Sequence, residues 1–143
     1  MIGSRLPFPV QAALAALAGG VSGSLCRGLL EWGAAALSQP AWVSRIVANV
    51  LGAFLVGCWF GGAAGRPGPA PVGPAGTRTV LREDACVAGF LGGFTTVSGF
   101  AWDVASAWDA GAFGQAAAVL GANAVAGIAS CAAGFRLVRF FRG

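Results

Sequence analysis

The sequence predicts an all-α membrane protein of four transmembrane helices in a single domain, and three observations predict it. Hydrophobic residues make up 57% of the 143 residues and charged residues only 10%, against about 25% charged in ordinary globular proteins. A soluble chain this short exposes much of its surface and needs more charge to stay dissolved. The apolar residues also gather into four stretches, 8–30, 43–64, 86–107 and 113–135. Each reaches the about 20 residues that a helix needs to cross a bilayer. Glycine is abundant, at 24 residues. In lipid, helices associate by close backbone approach, which small residues permit.

The first stretch carries some marks of a signal peptide: Arg5, an apolar run, and Ala16-Leu17-Ala18 as a cleavage-like site. Its apolar character continues well past Ala18, which points to a retained helix. A short connection near residues 34–39 leads to the second stretch. Residues 65–76 (RPGPAPVGPAG within them) are rich in Pro and Gly and are expected to form an extended loop. Another short connection, near residues 108–111, separates the third stretch from the fourth. The four cysteines, Cys26, Cys58, Cys86 and Cys131, form no CxxC pair and lie in or beside apolar segments. They are expected to be small packing residues.

Composition also excludes functions. The chain has no His and no Tyr, so the commonest general base and metal ligand is missing, and no enzyme is expected. All of the basic charge is arginine. It lies mainly in loops and near the C-terminus, without the aromatic interleaving of a nucleic-acid surface. It therefore bears on membrane topology, and no nucleic-acid partner is expected.

Polar residues inside apolar segments are costly and mark candidate function. Asn49 lies in ANVLGAFLVG of the second stretch. It could serve an interhelical hydrogen bond, or its amide could donate two hydrogen bonds to a dehydrated anion. The third stretch contains GFLGGFTTVSGF, residues 89–100, where Gly92, Gly93, Thr95, Thr96, Ser98 and Gly99 make a poor lipid-facing helix. A helix break there would be tolerated only where it is buried in protein or lines a cavity, and freed carbonyls there could hold a cation. A kinked packing helix with back-bonded Ser and Thr is the other reading. Arg27, near the end of the first stretch, suits an interfacial snorkel. Asn123 is the lone strongly polar residue deep in the fourth stretch. Asp103 and Asp109 close the third stretch and are expected to face water. A carboxylate in the first helix would have suggested a proton-coupled drug transporter, but residues 8–30 contain none.

Taken together, AGGVSGSLCR, ANVLGAFLVG and GFLGGFTTVSGF, one per helix and in this order, resemble the Fluc (CrcB) fluoride channels. The likeness continues into GAFGQ before the fourth helix. The third motif, usually of the form GGxTTFSTF, is the specific one. The resemblance implies an antiparallel dimer of four-helix subunits with a broken third helix, two narrow pores, and passive fluoride efflux that relieves cytoplasmic fluoride. It matches Asn49 to a pore-lining Asn and Phe100 to the second of two pore phenylalanines. Thr96 and Ser98 match the polar part of the broken helix, and Asn123 a polar pore position of the fourth helix. Gly92 and Thr95 match positions whose backbone carbonyls hold a structural sodium ion at the dimer interface. The physics is consistent: fluoride is strongly hydrated, N–H donors and positive ring edges replace its water, and weak sites in series let it pass.

The chain departs from the family pattern at several places. Val97 stands where the first pore phenylalanine is usual, Gly99 and Arg45 stand where Thr is usual, and Val119 stands at a Tyr position. Charge is asymmetric as well. With four spans, Arg5, Arg66, Arg78, Arg82, Arg136, Arg139 and Arg142 share one side, and only Arg27 and Arg45 lie near the other. The positive-inside rule then places both termini and the 65–76 loop in the cytoplasm of a plasma-membrane protein with one fixed orientation. An antiparallel dimer would then pair this chain with a homologous subunit of opposite bias, although a homodimer stays open. Val97 keeps a non-conducting or regulatory membrane subunit in view. A small multidrug-type transporter is the third class.

Overall fold

The computed structural model describes residues 7–63 and 74–142, and within them every regular element is helical. Helix α1 (Phe8–Ala36) starts behind Pro7, with another proline in its first turn, where a missing N–H costs nothing. After a tight link comes α2 (Ala41–Ala63). The third span is composite. It begins as α3 (Pro74–Glu83), widens to π geometry over Asp84–Leu91 and tightens again in α4 (Gly92–Phe94). Thr95 (φ −84°, ψ 160°) and Thr96 (φ −145°, ψ 114°) are extended, and α5 (Val97–Asp109) resumes the helix. Gly111, at φ 71°, turns the chain into α6 (Phe113–Gly121), where a side chain would strain the left-handed backbone. A π-helical stretch, Ala122–Ala126, joins α6 to α7 (Gly127–Phe140).

Four helical spans are long and apolar enough to cross a membrane: Phe8–Ala36, Ala41–Ala63, Gly76–Asp109 and Phe113–Phe140. Their ends differ from the sequence expectation. The helix of the first span runs on to Ala36 and so contains Glu31, a carboxylate that the shorter stretch excluded. Most of the expected 65–76 loop lies outside the described residues. Its last three positions are helical, because Pro74 opens α3 where proline is tolerated. Arg5 and Arg66 also lie outside the described residues.

Two helix pairs hold the subunit together. In one, α2 lies along α7; in the other, α1 lies along the π-helical Asp84–Leu91 and α4. Glycine makes both approaches possible. A Cβ on Gly61 would come within 2.6 Å of the Phe135 carbonyl, and one on Gly93 would run into the Gly20 carbonyl. Ser130 Oγ adds a bond to the Val50 carbonyl (3.0 Å) between α7 and α2. The interior is small, built from Ala48, Leu91, Phe94, Ala107, Ala116 and Val119. Large apolar side chains such as Leu25, Leu29, Trp102 and Ile128 face outward, as a lipid solvent allows. The cysteines are free thiols.

Candidate functional site: a cleft beside the break in the third span

The joint in the third span is held open from α2. Asn49 Oδ1 accepts from the Thr96 N–H (2.8 Å), and Asn49 Nδ2 donates to the Thr96 carbonyl (3.1 Å). One side chain thus satisfies both backbone polar groups of Thr96, which a helix would have satisfied itself. The second Nδ2 hydrogen goes to Asn123 Oδ1 (2.8 Å) in the π-helical stretch, and Asn123 Nδ2 donates to the Val119 carbonyl (3.0 Å). Asn49 is fixed in this orientation because the Thr96 N–H can only donate. The Thr96 hydroxyl caps α5 by accepting from the Gly99 N–H (3.0 Å), and it also bonds Ser98 Oγ (3.3 Å). Thr95 bonds back to the Leu91 carbonyl through N–H (3.0 Å) and hydroxyl (2.9 Å).

These bonds divert two helical donors. In a continuous helix the Thr96 N–H would pair with the Gly92 carbonyl and the Gly99 N–H with the Thr95 carbonyl. Here one goes to Asn49 and the other to Thr96 Oγ1. The Gly92 and Thr95 carbonyls thus lose the donors a continuous helix would give them, and backbone oxygens released at a helix break suit a hard monovalent cation. Among the described residues, no group of three or more His, Cys, Asp or Glu side chains could hold a metal instead.

Six of the expected site residues line one cleft of about 690 Å³: Asn49, Gly92, Thr95, Val97, Phe100 and Asn123. Thr96 and Ser98 are not in its wall but join it through the hydrogen bonds above. Val97 is 79% exposed. Val119, at the expected Tyr position, is buried and offers the site only its carbonyl. Arg27 is not a free interfacial snorkel. Its Nε donates to the Gly93 carbonyl (3.3 Å), which Ser24 Oγ also reaches (3.4 Å), and its Nη1 pairs with Glu31 (3.0 Å). It thus braces α4 from the α1 side and is absent from the cleft wall.

Asp103 departs from expectation most clearly. It does not face water: its side chain is 11% exposed and ion-paired with Arg45. Each charge would be costly alone at this depth, so the two meet between α2 and α5. Asp109, by contrast, is exposed. Gly52 was not legible as a site residue, and the Arg45–Asp103 pair was only weakly so. Gly52 makes the socket for the Thr95 methyl group, since a Cβ there would collide with Thr95 Cγ2. The Arg45–Asp103 pair had one sequence signal, a lone basic and a lone acidic residue in separate apolar segments.

Comparison with known proteins identifies the family. Residues 14–135 match the family described as CrcB-like protein, Camphor Resistance (CrcB). A protein of Stutzerimonas stutzeri named fluoride-specific ion channel FluC is 30% identical over 131 residues, covering 91% of this chain and 98% of that one. Proteins of the same name from Caulobacter vibrioides and Phenylobacterium zucineum are 33% identical over 123 residues and 39% identical over 97 residues. These alignments cover 85% and 67% of this chain, and 91% and 70% of the relatives. With its four spans the chain is a multi-pass membrane protein, and the family match over most of its length makes it a member of the CrcB family.

Proposed function

We propose that this chain is a subunit of a passive fluoride channel that lets the anion leave the cytoplasm, and that it is not an enzyme. The observation that carries the reading is the Asn49 network, which joins the broken third span to the fourth span inside one cleft. The names of the relatives supply the ion. The network also divides the labour. Both Asn49 Nδ2 hydrogens are engaged within the subunit, whereas Asn123 Nδ2 spends one on Val119. An amide has two such hydrogens, so Asn123 offers the anion a donor directly. Asn49 offers one when fluoride replaces Asn123 Oδ1 as its acceptor. Phe100 adds the positive edge of its ring. Ser98 and Thr96 continue the polar track toward α5.

A sodium ion held by the Gly92 and Thr95 carbonyls supplies fixed positive charge beside the path and a tie between subunits. The second subunit is a homologue in antiparallel orientation, and it covers the exposed face around Val97 and Ile128. The arginine bias puts both termini of this chain in the cytoplasm, so its partner carries the opposite bias and supplies the phenyl ring that Val97 lacks. Val97 also favours a second reading, in which this subunit regulates and does not itself conduct. A transporter reading is weaker: Glu31, the carboxylate of the first span, is tied to Arg27. The test is fluoride efflux from proteoliposomes, read with a fluoride-selective electrode, with the chain alone and with a homologous partner. Fluoride-selective, sodium-requiring flux in either arm is the expected result. No flux in both arms, from folded protein, would refute the channel reading.

A further inference from the structure

Arg45 sits one helical turn before Asn49 on the same face of α2. Its stem lies against the turn that carries the polar track. A Cβ at Gly99 would approach Arg45 Cδ to 3.0 Å, and the Gly99 N–H bonds Thr96 Oγ1. The Arg45 head reaches Asp103 on α5, with the two side chains 23% and 11% exposed. The pairing is single-pronged: Arg45 Nη1 meets Asp103 Oδ1, while Asp103 Oδ2 is buried with no hydrogen-bond partner.

A purely structural clamp at this depth would be better served by the two-pronged geometry that arginine and carboxylate readily adopt. Apolar side chains of similar volume would hold the helices together at least as well. The arrangement instead leaves one carboxylate oxygen without a partner and the guanidinium held through a single N–H. A bare arginine at membrane depth would bind a small anion tightly and arrest it, and a bare aspartate would repel it. Conduction needs a site that attracts and still releases.

We propose that Arg45 is an anion-drawing residue at the mouth of the track where α2 begins, and that Asp103 positions it and moderates its pull. This rests on the fluoride-channel reading above. With both termini cytoplasmic, α2 begins on the outer side, so the Asn49–Asn123 network passes the ion outward to Arg45, which sets how strongly the outer mouth holds fluoride before release.

The test is fluoride flux measured over a series of fluoride concentrations applied on the side where α2 begins, in the full-length protein in the assembly in which the unaltered chain conducts. Asp103→Asn releases the full charge of Arg45, so the half-saturating concentration and the maximal rate should both fall severalfold. Arg45→Lys keeps the charge and should stay close to the unaltered channel. Arg45→Gln leaves Asp103 bare and should abolish most of the flux. The double variant Arg45→Gln/Asp103→Asn keeps a neutral hydrogen-bonded pair. It should recover the maximal rate but need severalfold more fluoride to reach half of it. Wild-type concentration dependence in the double variant would reduce the pair to a clamp and overturn the proposal. If the double variant does not fold, Asp103→Asn decides, since an unchanged half-saturating concentration there has the same consequence. Absence of flux in the unaltered protein would instead bring down the channel reading itself.

Discussion

Replacing Asn49 by Ala should disturb the site in a specific order. The substitution removes three hydrogen bonds at once: the two to the Thr96 backbone N–H and carbonyl and the one to Asn123. Each is worth about 1 kcal/mol net, and somewhat less inside a membrane. The loss sums to roughly 2–3 kcal/mol, or about 30- to 150-fold in an equilibrium constant. Part of it can be regained locally. Once released, the Thr96 N–H is free to turn back to the Gly92 carbonyl and continue the helix of α4. That repair would use up one of the oxygens assigned to the cation. Asn49→Ala should therefore lower fluoride efflux by at least tenfold and also blunt its sodium dependence, because one residue serves both the anion track and the open joint. The assay is electrode-monitored efflux from proteoliposomes across a sodium titration, with thermal melting in detergent alongside. Efflux and sodium dependence both like those of the unaltered channel would refute the reasoning. A loss of flux with sodium dependence intact would confine Asn49 to the anion path and detach it from the joint.

Three further outcomes are expected. A Cβ at Gly92 would meet nothing closer than 3.9 Å, so Gly92→Leu should leave the subunit folded while abolishing the rise in melting temperature on adding sodium; Thr95→Ala, which keeps its carbonyl, should retain more of that rise. Val97 is 79% exposed in the single subunit, so Val97→Phe should leave its fold intact. An added ring edge worth about 0.5–1.5 kcal/mol should raise efflux roughly two- to twelvefold, and unchanged efflux would argue that Val97 lies off the path. Cysteines placed in residues 65–76 of a chain otherwise free of cysteine should react with a membrane-impermeant reagent from the cytoplasmic side only. Comparable labelling from both sides would overturn the single orientation inferred from the arginines.

Much of the fold was legible because lipid simplifies the code. A run such as residues 43–64 has to be a spanning helix, since nothing else satisfies its backbone there. The ends were less legible. Residues 31–36 and 136–140 are less apolar, yet the backbone stays helical past the hydrophobic stretch, because the interface does not dictate where a helix stops. The site was legible wherever polarity was out of place. Asn49, Asn123 and the Gly92–Ser98 run stood out by cost alone, and the cleft gathers most of them. Partner choice was not legible. Nothing in the chemistry of Arg27 distinguishes a snorkel from a donor to the Gly93 carbonyl. The choice depends on how closely α1 approaches α4, which Gly20 and Gly93 allow. Asp103 was misplaced for the same reason. A carboxylate late in a span looks water-bound until the helix beside it is found to carry Arg45 at the same depth.

The departures from the family pattern also lose their independence in three dimensions. Arg45 and Gly99 each replace a usual Thr, and they lie 54 residues apart in the sequence. In the fold, a Cβ at Gly99 would press on the Arg45 stem at 3.0 Å, so the side chain lost from α5 is the space taken up by the side chain gained on α2. Asp103, one turn further along α5, then receives the charge. Arg45 and Gly99 thus form one compensated change confined to this subunit. It leaves the Asn49–Thr96–Asn123 core, with its full set of bonds, untouched. Val97 has no such compensation here: it is exposed and meets no new group that would replace a phenyl ring. A loss repaired within the subunit needs no partner, and a loss left open on an exposed face does. The pattern of repair thus makes the Arg45 mouth a property of this chain, whereas the wall at Val97 would need the proposed second subunit to complete it.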